Sequence, residues 1–432
     1  KLSHRERGGR VSRWPFRRTS FRSFPMSTAL SPRRELWLLI TLAGIQFTNI
    51  LDFMIMMPLG PALTALFQIS DAQFGMLVSA YTLAAGASGL AASTYIDRFD
   101  RKRLLMVLYG LFALSTLACG LAPTYGSLMA ARIAAGIFGG VLSALSQTIV
   151  GDVIPYERRG RAMGVVMTSF SVSTVAGVPL GLFLAAHFGW HLPFILIAVL
   201  SVLFMVFAHV SMPSLQDHLA AQVHTSSWSR IRDVVVDRNH QRAFVFSALL
   251  MFAGFTVIPY ITIYMQANVG MRADQVPYIY LCGGVATLLT ARVVGRLADG
   301  WGKFKTFRVM AAIVLLPMLA ITQLGQVAMG WVLLVSTLFF VCMSGRMIPG
   351  MAMLTSAANP ALRGTFMTLN SAVQSAAMGL AALVGGYIIN RNTLGLVENY
   401  GWAAVVGGCA SVLTIVVGAR LQLHPSAAPA PK

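Results

Sequence analysis

The chain has 432 residues, of which 56% are hydrophobic and only 11% charged. A soluble domain carries roughly 25% charged residues, so a set of soluble domains filling this length is excluded. The formal net charge of +19 does not point to nucleic acid. Eight Lys/Arg and one Glu lie within residues 1–25, and most of the remaining basic residues sit in short connections between apolar blocks, as the positive-inside rule requires.

Residues 1–34 form a basic N-terminal tail. The Arg- and Ser-rich stretch 1–25 has the composition of an organellar transit peptide. The preferred reading is a non-native segment ahead of a natural start at Met26. No cleavable apolar core precedes the first span, so that span is expected to direct insertion itself.

Apolar blocks of about 20 residues cross a bilayer as helices. Twelve are expected, over 36–58, 74–96, 104–122, 126–151, 162–186, 192–212, 243–266, 276–298, 307–325, 330–355, 364–390 and 399–420. An even number puts both chain ends on one side. Connections on that side carry sixteen Lys/Arg: Arg98, Arg101, Lys102, Arg103, Arg158, Arg159, Arg161, Arg230, Arg232, Arg238, Arg242, Arg296, Lys303, Lys305, Arg308 and Arg363. The opposite connections carry two, Arg272 and Arg391. That asymmetry predicts cytoplasmic termini in a bacterial inner membrane.

The longest connection, 213–242, is polar and falls halfway along the chain. It reads as a linker on the cytoplasmic surface, where its Arg residues meet anionic lipid, with a short helix between Trp228 and Arg242. It separates a six-helix half at 35–212 from a second at 243–421, which is followed by a tail at 422–432. Cys119, Cys282, Cys342 and Cys409 lie in apolar blocks with no CxxC and no His at ligand spacing, so neither a metal site nor a disulfide framework is expected.

The halves repeat at an offset near 202 residues. DRFDRKR at 97–103 follows the second span and DGWGKFK at 299–305 follows the eighth. PYERRGRAMG at 155–164 and PALRGTFMTL at 360–369 correspond after the fourth and tenth, and Pro58 matches Pro259. Two related six-helix halves are a transporter signature, because alternating access needs two units rocking about a central site.

Between residues 35 and 421 the sequence resembles the major facilitator superfamily. STYIDRFDRKR at 93–103 and GRLADGWGK at 295–303 are similar to that family's loop after the second helix, with Ser93 and Asp100 where the first copy's glycines would stand. Arg132, Gly136 and Gly140 match its fourth-helix motif. Gly177, Pro179 and Gly181 weakly match the fifth-helix motif of proton-coupled exporters, and LDFMIMMPLGP at 51–61 looks like the first helix of the drug and sugar-efflux branch. The resemblance implies an all-α membrane fold of twelve helices in two pseudo-symmetric halves, in which helices 1, 4, 7 and 10 line a central cavity. It also implies a monomer, and helix-packing roles for these glycines and for Gly295.

Charges inside a span cost roughly 2.5–3.5 kcal/mol on insertion scales and are functional candidates by default. Asp52, Arg132 and Arg346 lie well inside spans, while Arg292 is placed to snorkel. Asp52 and Arg132 each fall roughly 9 Å below the outer face at 1.5 Å per residue, so with the implied helix adjacency they can pair. Asp52 is then the expected proton-coupling carboxylate. Desolvation favours its neutral form and a nearby Arg132 its charged form, so rocking can exchange a proton. The alternative is a permanent structural pair. Arg346 has no counterpart in the first half; it faces either an anionic substrate group or backbone carbonyls. Asp97, Arg98, Arg101, Asp299 and Lys303 are expected to latch the halves at the cytoplasmic end in the outward-facing state, the alternative being topology alone. Further cavity candidates are Gln46, Asn49, Gln147, Tyr260, Tyr264, Gln266, Asn370 and Gln374, some of which must serve helix–helix hydrogen bonds instead.

The resulting expectation is proton-coupled efflux of a small solute such as a drug, sugar or metabolite. The alternatives are a proton-coupled uptake symporter and, from another class, a non-transporting sensor or scaffold. An enzyme is disfavoured, since the eight histidines form no HExxH and there is no paired-carboxylate site. No phosphate-binding glycine loop, cofactor or metal is expected.

Overall fold

The computed structural model describes residues 32–96, 99–154, 158–212, 227–359 and 362–423. Among these, twelve helices are long and apolar enough to cross a membrane. They are α1 (Pro32–Ile55), α2 (Asp71–Tyr95), α3 (Arg101–Gly120), α4 (Tyr125–Val153), α5 (159–188), α6 (His191–Ser211), α7 (Arg238–Ala267), α8 (Val276–Trp301), α9 (Lys303–Ile321), α10 (Met329–Ala357), α11 (Arg363–Ile388) and α12 (Tyr400–Gly418). The spans alternate in direction, so one end of the bundle holds the Arg-rich connections, here called the basic end, and the other is the far end.

Helix starts are set by caps that satisfy otherwise orphaned N–H groups. Ser70 and Gln73 form a reciprocal capping box at α2, as Thr124 and Ser127 do at α4. Asp237 accepts from the amides of Asn239 and His240. That cap starts α7 at Arg238, five residues before the expected 243, because hydropathy does not see caps. The surface helix expected between Trp228 and Arg242 runs over Ser227–Val236.

Two spans break where proline removes a backbone donor. α1 ends at Ile55 and the chain resumes as a short helix, Gly60–Phe67, beyond Pro58. α7 changes to a 3-10 turn at Ile258–Tyr260, around Pro259, and continues at Ile261–Ala267. The two short helices meet at the far end, where a side chain added at Gly60 would collide with Ile263. In α5 a π-turn occupies Ser173–Gly177.

Packing follows the same pattern in both sets of six. α1 lies on α5 and α6, α2 on α4, and α3 on α4; likewise α7 lies on α11 and α12, α8 on α10, and α9 on α10. The sets join through α2 on α11 and α5 on α8. Close approach is achieved with small residues, the usual route in lipid, where apolar surface gives no net drive for association. Gly136 and Gly140 of α4 sit so near the Tyr81 and Ala85 carbonyls of α2 that any Cβ would clash. Gly177 and Gly181 of α5, with Pro179 between them, receive Leu51 and Ile55 of α1. Gly295 is a correction to the expected packing set: open space surrounds the place its Cβ would take, so no helix needs a glycine there.

Apolar clustering differs between the ends. At the far end one continuous buried cluster contains Leu51, Phe74 and Leu182 together with Tyr260, Phe339 and Tyr400, and so unites both sets. At the basic end there are two separate clusters, one around Leu105, Tyr109 and Leu145 and the other around Phe246, Phe307 and Phe366. The bundle is sealed at the far end and parted at the basic end.

Candidate functional site

The parting holds a cavity of about 630 Å³. Its inner limit is formed by Asn49, Phe53 and Tyr81, and it extends past Thr148 and Gly364 to Ile96 and Ile231 at the basic end. α2, α4 and α11 supply the walls, each with a stripe of small residues at helical spacing, as in Gly139, Gly140, Ser143 and Ala144 of α4. Of the polar cavity candidates singled out from sequence, Asn49 and Gln147 line it. Gln147 is exposed there. Asn49 donates to the Gly139 carbonyl at 3.1 Å and to Ser143 Oγ at 2.9 Å, and accepts from the Tyr81 hydroxyl at 2.9 Å.

Behind Tyr81 lies the expected pair. Arg132 Nη1 is 2.9 Å from Asp52 Oδ2, and both side chains are fully buried. The same nitrogen donates to the Asp52 carbonyl at 3.3 Å. The guanidinium stands 4.3 Å from the Tyr81 ring centroid, a cation–π contact. Thr116 and Cys119 of α3 face the pair. Among the described residues, Asp52 Oδ1, Thr116 Oγ1 and Arg132 Nε and Nη2 have no hydrogen-bond partner. Asp52 and Arg132 therefore do not line the cavity as expected; Tyr81 and Asn49 stand between. Tyr81 stacks on Phe53 with centroids 5.4 Å apart, and Phe53 on Phe255 of α7 at 6.0 Å.

Arg346 is also removed from the cavity. It is 1% exposed, donates to the Leu250 carbonyl at 3.1 Å and to Ser411 Oγ at 3.4 Å, and has no ion pair among the described residues. Of its two expected roles, backbone pairing is the one the geometry displays. The other amide and phenol candidates serve helix contacts. Gln46 accepts from Ser143 at 3.4 Å, Asn370 from Ser247 at 2.5 Å, and Gln374 donates to the Met351 sulfur at 3.6 Å. Tyr260 donates to the Ala382 carbonyl and Tyr264 to the Leu324 carbonyl, while Gln266, half-buried near the far end of α7, lies off the wall.

At the basic end Asp97 and Arg98 fall outside the described residues. Arg101 is buried and donates to the Ile96 carbonyl at 2.7 Å. Lys303 donates to Ser356 at 2.7 Å, and Asp299 is exposed with no ion pair among the described residues. The second-half latch is therefore not formed here. The joint that is formed lies at the far end. Arg391 reaches from a two-stranded hairpin, Asn390–Arg391 against Val397–Glu398, to Asp71 in the first turn of α2, with contacts of 2.9 and 2.8 Å. That hydrogen bond is the chief reason the Arg391 guanidinium is held above the usual arginine range. Asn268 of the loop after α7 clasps Val397 through both its N–H and C=O.

Sequence reasoning missed Tyr81, the α11 hydroxyls and the Asp71–Arg391 joint. A tyrosine or serine in an apolar helix carries no signal. The joint had one: Arg391, one of two arginines in the connections of the arginine-poor side, and an aspartate opening a span on that side.

Comparison with known proteins agrees with this architecture. The Major Facilitator Superfamily family profile matches residues 42–382. The MFS-type transporter YtbD of Bacillus subtilis (strain 168) is 25% identical over 79% of this chain and 84% of its own. The probable sugar efflux transporter of Mannheimia succiniciproducens is 22% identical over 81% and 86%. A chloramphenicol efflux pump of Mycobacterium tuberculosis is 25% identical over 57% and 60%. Among solved structures, a D-xylose-proton symporter superposes with TM-score 0.73 at 18% identity, over 91% of this chain and 98% of its own. This chain belongs to the Major Facilitator Superfamily. It is a multi-pass membrane transporter of small molecules, not an enzyme.

Proposed function

We propose that this transporter is a proton-coupled exporter that exchanges a small solute for protons by alternating access, as a monomer in a bacterial inner membrane with the basic end and both termini in the cytoplasm. The observation that carries this reading is the fully buried Asp52–Arg132 pair, one tyrosine ring away from the cavity. An isolated buried carboxylate is strongly disfavoured. Asp52 is therefore ionised while Arg132 holds it and protonated when rocking or a displaced Tyr81 loosens that hold. The state described here, open at the basic end, is inward-facing and ready to take solute from the cytoplasm. In the outward-facing state the Asp71–Arg391 joint parts, and Asp97, Arg98 and Arg101, with Asp299 and Lys303, close the basic end. Two relatives carry efflux in their descriptions, which supports the outward direction. The same parts would serve uptake by symport, and the D-xylose-proton symporter shares this fold.

The test is flux into and out of proteoliposomes under an imposed pH gradient, with chloramphenicol, D-xylose and a wider panel of solutes. Exchange driven by the gradient is expected, with Asp52→Asn abolishing the drive while leaving downhill flux. Full gradient-driven flux in Asp52→Asn would sink the coupling role. Solute moving with the protons rather than against them would replace export by symport.

A further inference from the structure

The cavity wall has a definite chemistry that the transport reading leaves open. Among its described residues none is Asp, Glu, Lys, Arg or His. Three buried arginines are engaged elsewhere: Arg132 with Asp52, Arg346 with Leu250 and Ser411, and Arg101, at the basic end, with the Ile96 carbonyl. A charged solute would leave water for low-dielectric walls offering no counter-charge, which is strongly unfavourable.

The polar groups present are also directional. Thr82, Thr148 and Thr368 donate back to carbonyls of their own helices at 3.0, 3.0 and 3.2 Å, so toward the cavity they offer oxygen lone pairs. Gln147 on α4 and Ser371 and Ser375 on α11 make no hydrogen bond among the described residues. Ser371 and Ser375 share one helical face, four residues apart. Phe53 adds an apolar surface at the inner limit. A wall without charge among its described residues, whose threonines offer acceptors and whose Gln147, Ser371 and Ser375 can both accept and donate, matches an uncharged solute that carries several O–H or N–H groups.

We propose that the cavity between α4 and α11 is a binding site for an uncharged, donor-bearing solute of the polyol, sugar or amide kind, held between Gln147 and the Ser371–Ser375 face. This rests on the transport reading for its purpose but not for its chemistry, and it needs no assumption about coupling.

The test reads the wall without needing the natural solute. Ser371→Cys is treated in detergent with three methanethiosulfonates of similar size: neutral 2-hydroxyethyl, cationic 2-(trimethylammonium)ethyl and anionic 2-sulfonatoethyl. Rates are read by peptide mass spectrometry, which separates the native cysteines, and are normalised to Leu394→Cys on the exposed tip of the far-end hairpin. The neutral reagent is expected to be preferred over each charged one by about tenfold or more. A charged reagent within that factor, or no reaction with the neutral one, overturns the proposal. Ser375→Cys provides the same reading if Ser371→Cys fails to fold. Adding Gln147→Glu is expected to raise the rate of the cationic reagent relative to the neutral one by about tenfold; an unchanged ratio would also overturn it. Labelling as expected in a protein that moves no solute across a bilayer would defeat the transport reading and leave the wall chemistry standing.

Discussion

Asp52 and Arg132 are each fully buried, and each is the other's only opposite charge among the described residues. Removing one partner of such a pair leaves an uncompensated buried charge, at a cost of about 3–5 kcal/mol. Arg132→Gln should therefore lower thermal stability sharply in a detergent melting assay, and Asp52→Asn with Arg132→Gln should recover much of the loss. Arg346→Gln should cost less, because it strands no carboxylate; the Leu250 carbonyl and Ser411 hydroxyl it releases are neutral. An Arg346 variant as damaging as the Arg132 variant would mean that Arg346 has a carboxylate partner in another state. The charges were legible in sequence because each is costly in a span and therefore rare. Tyr81 was not, although it separates the pair from the cavity, since nothing in the sequence distinguishes it from a packing aromatic.

At the scale of helices, glycines that matter and glycines that do not are separated by geometry rather than by motif. A Cβ at Gly140 would lie 2.3 Å from the Ala85 carbonyl oxygen, backbone that cannot move aside cheaply. Gly140→Val should part α2 from α4 and destabilise by about 1–3 kcal/mol or more. Gly295→Ala meets nothing, and alanine favours helix over glycine by up to about 1 kcal/mol, so its melting temperature should stay or rise. The far-end joint is a different kind of contact. With Arg391 38% exposed and Asp71 2%, the pair is partly screened and contributes on the order of 1 kcal/mol. Arg391→Gln should shift the balance between far-end-closed and far-end-open forms by roughly fivefold. Spin labels at Gln68 and Leu394 report that as a growing long-distance population; an unchanged distribution would reduce the joint to decoration. The number of spans was readable from hydropathy, yet the breaks after Ile55 and Phe255 and the π-turn in α5 were not. They depend on proline position and on packing partners from the other set of six.

For the whole molecule, orientation is carried by charge alone. A green fluorescent protein fused to the C-terminus should fluoresce and an alkaline phosphatase fusion should be inactive in bacterial cells, as cytoplasmic termini require; the reverse pattern would invert every statement about direction. The two-fold plan was legible as a repeat near 202 residues and reappears as matched helix pairings in the two sets. The open end was not legible, because both states share the same sequence and differ only in which apolar clusters are joined. Tyr81 and Asn49 line the cavity while Asp52 and Arg132 are buried behind them. Under the proposed function, cargo would meet Tyr81 and Asn49 rather than the ion pair, so substitutions along the α11 face would retune what is carried and leave the pair in place. A lineage built on that plan would be free to change its clientele without rebuilding its engine.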